Sequence, residues 1–170
     1  MNAPVATRIR TVTRAEVEDF LYAEARILEA FDLERWLTLF EVGGQYQIPT
    51  TDAPPDADPA EVQFFVADDW DLLNARVIRL MSRNAHAENP RSGTHRVVSN
   101  VIVEPHADVD AVAVRAAFIV HRIRDGRVDP YLGHHEHVLA VTSDGLRFRR
   151  RRSVLAYEQL RPGGRLSFIL

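Results

Sequence analysis

The sequence predicts an α+β fold, a curved antiparallel sheet packed on about three helices drawn from the N-terminal half. Three observations carry that prediction. Apolar residues recur at helical spacing only in the first half of the chain. Four long runs in the second half are rich in Val, Ile and Phe. Glycine-containing turns separate those runs at hairpin spacing. Helices first and strands afterwards is the order of an α+β fold. The helical stripes are the only apolar surface large enough to cover one face of the sheet.

The elements follow in order. Residues 1–13 are expected to form a flexible N-terminal tail, and residues 14–170 a single domain. Thr13-Arg14-Ala15-Glu16 is a capping box, a hydroxyl followed three residues later by Glu. Val17, Phe20, Leu21, Leu28 and Phe31 then fall on one face of a first helix. Asp32 caps a short second helix carrying Trp36, Leu37 and Phe40, and Gly43-Gly44 is expected to stop it. Gln45 to Pro49 reads as a short strand. The stretch from Thr50 to Ala60, with Pro54, Pro55 and Pro59, is a surface loop, because Pro breaks both helix and ladder. Asp68 and Asp69 are positioned to cap a third helix with a buried stripe of Trp70, Leu73, Val77, Leu80 and Met81. Thr94 to Glu104, Ala111 to Arg124, Val128 to Thr142 and Leu146 to Tyr157 are the predicted strands. Asp125-Gly126 and Ser143-Asp144-Gly145 are their turns. Leu166 to Leu170 either adds a last strand or packs on the core.

Composition excludes several chemistries. The chain has no cysteine, so it has no thiolate nucleophile and no disulfide. A plant-type iron–sulfur cluster needs four Cys and a Rieske cluster needs two Cys with two His, so neither finds its ligands here. All 21 basic residues are Arg, which removes lysine-based Schiff-base chemistry. A net charge of −3 argues against nucleic-acid binding. No apolar run reaches the roughly 20 residues of a membrane span. Met1 to Thr13 lacks the apolar middle of a secretion signal. A cytoplasmic location is therefore expected.

Phe20-Leu21-Tyr22-Ala23-Glu24-Ala25-Arg26-Ile27-Leu28 resembles the first helix of ring-hydroxylating dioxygenase β subunits. Trp36-Leu37-Thr38-Leu39-Phe40 leading to Tyr46-Gln47-Ile48-Pro49 is similar to their next segment. The stretch from Ala85 to Val101, through His86, Glu88, Asn89 and Pro90, resembles the one after their third helix. Arg152-Ser153-Val154-Leu155 and Leu166 to Leu170 fit the C-terminus. The chain departs from the family in Glu41-Val42-Gly43-Gly44 and in the histidine-rich His134-His135-Glu136-His137. The resemblance implies a cone-shaped fold of the nuclear transport factor 2 superfamily. It also implies a structural role beside a larger α subunit that holds the Rieske cluster and the mononuclear iron. No cofactor is then expected in this chain, and the assembly is a homotrimer of β subunits with three α subunits.

Several residues invite a role of their own. Glu24 sits within the apolar stripe of the first helix, either as a general base in a pocket or as an ion-pair partner of an Arg such as Arg76 or Arg96. On a strand His135 and His137 point one way and His134 points with Glu136, so only two imidazoles share a face for a metal. His86 and Glu88 are read as a loop that contacts a neighbouring subunit, or as polar groups at a pocket mouth. His106 is a further candidate ligand with no positional argument. Arg91, Ser92, Thr94, His95, Arg96 and Asn100 suit a polar subunit contact at a strand start. In Arg149-Arg150-Arg151-Arg152, strand alternation places Arg150 and Arg152 on the face of Phe148 and Val154, again as interface candidates. Two competing functions remain open. One is a stand-alone cone-fold isomerase or dehydratase working through Tyr22, Glu24, Tyr46 and His86. The other is a non-catalytic ligand-binding or interaction module. An open pocket with convergent polar groups favours the enzyme, and a filled interior favours the assembly subunit.

Overall fold

The computed structural model describes residues 10–54, 56–82, 90–156 and 166–170. Helix α1 spans Arg14–Glu29, and its capping box is formed in full: the Thr13 hydroxyl accepts from the Glu16 N–H, and the Glu16 carboxylate accepts from the Thr13 N–H at 2.8 Å. Arg10 adds an ion pair to the same carboxylate. Val17, Leu21, Glu24, Ile27 and Leu28 are the buried face of α1. Phe31 lies beyond the helix, in the left-handed region at φ 56°, and turns the chain toward α2.

Helix α2, Leu33–Leu37, is capped by Asp32, which accepts from the Arg35 N–H at 3.2 Å. It ends at Thr38, not at Gly43-Gly44. Those glycines lie inside strand β1, which runs Phe40–Pro49 and starts five residues before the predicted strand. Gly43 adopts φ 88°, and a Cβ on Gly44 would stand 2.9 Å from the Phe148 carbonyl oxygen. The pair forms an irregularity in β1 where its register with the neighbouring strand skips, a use of glycine that reads in sequence like a helix stop. A five-residue strand β2, Phe64–Asp68, precedes α3, Trp70–Met81. Asp69 alone caps α3, accepting from the Leu72 N–H, while Asp68 turns to Arg76. Only Leu73 and Val77 of the predicted α3 stripe are fully buried. Trp70 and Leu80 pack at its edge, and Met81 is 45% exposed. The stripe is narrow because, among the described residues, α3 packs mainly on α2, β1 and β2.

Strands β3 (Gly93–Pro105), β4 (Ala111–Arg124), β5 (Arg127–Thr142) and β6 (Gly145–Leu155) form an antiparallel meander, as the four predicted runs require. Asp125 and Gly126, both at positive φ, make the β4–β5 turn. The sheet order is β2-β1-β6-β5-β4-β3, and β1 joins β6 in parallel. That pairing is the exception to an otherwise antiparallel sheet. Helix α1 packs on the β3 side. Residues 166–170 pack on the core instead of extending the sheet: Phe168, Ile169 and Leu170 are buried, and the Leu170 N–H donates to the Tyr46 hydroxyl at 3.1 Å.

Candidate functional site

The space between α1 and the sheet is the first place for a site; among the described residues side chains fill it around Glu24, and a hollow of about 260 Å3 lies at its end, lined by Leu28, Phe31, Leu33, Thr94, Arg96 and Ile169. In β6, Phe148 pairs with Leu139 and Arg150 with Val138, so Arg149 is one residue too many for the ladder. This extra residue reverses the alternation of inward and outward side chains. Arg151 and Ser153 therefore face the interior with Phe148, whereas Arg150 and Arg152 face outward with Val154. This corrects the predicted parity, which put Arg150 and Arg152 beside Phe148.

Arg151, 1% exposed, donates from Nε to Glu24 Oε1 at 2.5 Å. Trp36 Nε1 donates to the same oxygen at 2.8 Å. Among the two readings of Glu24 the ion pair is the one formed, but its partner is neither Arg76, bound to Asp68, nor Arg96. The Arg151 guanidinium also lies 5.3 Å from the centre of the Tyr46 ring and 5.7 Å from that of Trp36, within the range of cation–π attraction. It donates to Ser153 Oγ at 3.3 Å, and that hydroxyl contacts His135 Nδ1 at 3.1 Å. His135 stacks between Phe118 and His137, each at 4.5 Å. His137 Nδ1 accepts the Arg152 N–H at 3.2 Å. Burial, and after it the repulsion a protonated His137 would exert and the charge of Arg151, holds His135 well below the ordinary histidine pKa; burial and then Arg151 do the same to His137. Both imidazoles are therefore neutral. The void left beside this network measures about 10 Å3, room for one water at most.

The three pocket candidates among the described residues do not converge on an open pocket. Glu24 is bound to Arg151. Tyr46 is buried, with its hydroxyl held by Leu170. Tyr22 is 43% exposed and borders a hollow outside α1, together with Arg26, Glu29 and His95. His86, like Glu88, lies outside the described residues. His134 contacts Glu136 at 2.9 Å on the outer face, apart from His135 and His137, and His106 Nδ1 accepts from the Asp108 N–H. Among the described residues no group of three His, Asp or Glu side chains is arranged to hold a metal ion.

The interface candidates divide into two places. At the start of β3, the Arg91 guanidinium lies 3.8 Å over the Phe31 ring. The Arg96 N–H donates to Glu29 at 2.7 Å and its guanidinium reaches the Ile169 carbonyl. Burial, and then repulsion from Arg151, lowers the Arg96 pKa to about 10. Ser92 and Thr94 are half-buried, and His95 is exposed. Asn100 is exposed at φ 54°, where the β3–β4 register skips. Arg150 and Arg152 lie across the sheet, on β6.

A surface not singled out from the sequence links the first group to the sheet. On the outer face Val97, Ile119 and Leu132 form one cross-strand row, His95, His121 and Pro130 the next, and Gly93, Ile123 and Val128 the third. Val97, Ile119, Leu132, Ile123 and Val128 are all exposed. The signal for it was Ala116-Ala117-Phe118-Ile119-Val120, an apolar run without alternation, as expected of a strand covered on both faces.

The ring hydroxylating beta subunit family matches residues 23–161. The small oxygenase component of a p-cumate 2,3-dioxygenase system from Pseudomonas putida is 43% identical to this chain over 159 residues, 94% of this chain and 88% of that one. Naphthalene 1,2-dioxygenase with indole in its active site contains a chain of the same fold, with a TM-score of 0.79 at 19% identity, covering 96% of this chain and 90% of that one. A nuclear transport factor 2-like protein from Novosphingobium aromaticivorans aligns with a TM-score of 0.59 at 15% identity, over 86% of this chain and 83% of that one. The fold is therefore the predicted cone, and the chain belongs to the ring hydroxylating beta subunit family, the small subunits of aromatic-ring dioxygenases.

Proposed function

We propose that this chain is an architectural subunit that supports a catalytic α subunit in the dioxygenation of an aromatic acid or hydrocarbon, with no cofactor of its own. The observation that carries this reading is the filled space around Glu24 and Arg151 among the described residues. Glu24 and Arg151 occupy the centre of the cone, where a stand-alone isomerase or dehydratase needs room for substrate. Glu24 Oε1 is taken up by Arg151 and Trp36, so the carboxylate is held against other side chains and not against an open pocket. The absence of cysteine leaves the Rieske cluster to the α subunit.

The assembly we infer is a trimer of β subunits joined to three α subunits in the cytoplasm. Residues 14–170 act in it as one folding unit. The exposed apolar rows of β3, β4 and β5 are its self-association surface, with His95 within it and Arg91, Ser92 and Asn100 near its edges, whereas Thr94 and Arg96 alternate onto the opposite face. An apolar centre with a polar rim is the usual anatomy of a stable interface. Net negative charge speaks against a nucleic-acid partner, and among the described residues no helix is long and apolar enough to cross a membrane.

Co-expression with a Rieske-type α subunit tests the proposal. The expected result is a stable hetero-oligomer that oxidises an aromatic substrate, and a β chain that alone forms a trimer without turnover. A monomer both alone and beside its partner, or turnover by the isolated chain, overturns it.

A further inference from the structure

Two imidazoles interrupt the exposed apolar rows of the sheet. His95 of β3 and His121 of β4 face each other across the ladder, and Pro130 of β5 completes their row. The two rings lie nearly parallel, 17° between planes, with centres 6.3 Å apart. Aliphatic residues stand on both sides of them. Val97, Ile119 and Leu132 form the row on one side, and Ile123 and Val128 lie in the row on the other. All five are exposed. Apart from the two histidines, these three rows hold no titratable side chain.

The charged groups around the pair are unevenly placed. On the α1 side, Glu29 Oε1 is 3.4 Å from His95 Nδ1, and the same oxygen already accepts the Arg96 N–H at 2.7 Å. Asp19, Tyr22, Arg26 and Arg96 border the hollow that His95 shares with Glu29. On the β5 side, His121 meets Pro130, which does not titrate. Arg122 and Asp129 form the next pair along the ladder and alternate onto the opposite face. A protonated His95 therefore has one shared carboxylate at hand. A protonated His121 has only another imidazole and a proline in its row.

We propose that this pair makes self-association of the chain depend on pH: the surface closes on a second copy while His95 and His121 are neutral, and opens as they take up protons. The inference rests on the self-association surface proposed above. An imidazolium covered by an apolar partner loses its hydration, and two of them side by side repel. An imidazole in water takes up its proton near pH 6.5, so the free face charges as the pH falls through that value. The covered face binds fewer protons than the free one. Association from this source is therefore strongest above about pH 6.5 and weakens below it, by about tenfold per pH unit for each proton excluded.

Light scattering of the full chain over a dilution series, at about pH 7.5 and about pH 6.0, tests it, with circular dichroism at each pH reporting the fold. The expected result is a protomer concentration at half-dissociation that rises at least about fivefold at the lower pH, while the fold is retained. The double variant His95→Gln with His121→Gln is expected to show the same value at both pH values. If that variant does not fold, His121→Gln alone is read, and a smaller rise than in the wild-type chain is expected. A wild-type value that does not move with pH overturns the proposal, as does a folded variant that keeps the full rise. Ile119→Glu at pH 7.5 separates the two readings. An oligomer that it disrupts but that is indifferent to pH removes the switch and leaves the surface. An oligomer that survives Ile119→Glu removes the surface and the switch with it.

Discussion

Glu24 on α1 and Arg151 on β6 stand 127 positions apart in the chain and meet at 2.5 Å in its interior. The pair ties the first helix to a central strand through a contact that water does not reach. Breaking such a pair from one side leaves a buried charge without compensation. Glu24→Ala is therefore expected to cost about 3–5 kcal/mol of stability, measured by urea unfolding. Replacing both partners with apolar residues, as in Glu24→Leu with Arg151→Met, is expected to cost less than either single change. A loss below about 1 kcal/mol in Glu24→Ala contradicts the assignment.

Acid is expected to destabilise the protein through His135 and His137. Both are held neutral in the folded state, well below their ordinary pKa of 6.5. The unfolded chain takes up protons at that value and the folded chain does not. Stability from this source is therefore complete above about pH 6.5 and falls as pH drops toward the folded values, by about 1.4 kcal/mol per pH unit for each histidine. Unfolding midpoints at pH 7.5 and 5.5 read the slope. His137→Phe is expected to flatten it, and an equal slope in that variant rules His137 out as a source.

The exposed rows on β3, β4 and β5 predict a change of assembly without a change of fold. Ile119→Glu places a charge on the middle strand of the first row, across from Val97 and Leu132. Light scattering is expected to show the proposed trimer dissociating in this variant, with the far-ultraviolet circular dichroism spectrum retained. A trimer that survives this change locates the interface elsewhere.

Gly44 leaves no room for a side chain. A methyl group there meets the Phe148 carbonyl at 2.9 Å and the Phe40 ring at 3.0 Å. Gly44→Ala is expected to cost about 1–3 kcal/mol, the usual penalty of overpacking, seen as a lower denaturant midpoint with an unchanged slope.

The second half of the fold was legible because its signals are local. Strand-type residues and Gly turns between Gly93 and Leu155 give four strands with nearly the observed bounds. The capping box of α1 and the Asp32 cap of α2 are equally local. What sequence left hidden depends on partners far along the chain. Strand β2 is five residues long and takes its pairing from β1. The Gly43-Gly44 signal was present but ambiguous, since a helix stop and a strand irregularity use the same freedom. At the site, the buried carboxylate was legible from its place in the apolar stripe. Its partner was not, because a single extra residue in β6 decides which of four consecutive arginines turns inward.

That extra residue has a second effect. Arg149 lies outside the ladder, and its guanidinium binds Glu41 of β1 together with Asp108 and Asp110 before β4. These acids belong to segments that are not neighbours in the sheet order. The stretch from Phe148 to Ser153 is thus constrained in length more tightly than in composition. Exchanging one side chain disturbs one contact, whereas deleting a residue would turn the rest of the strand inside out, sending the buried guanidinium to solvent and an unmatched one to the centre. Relatives should vary in their letters here and never in their count.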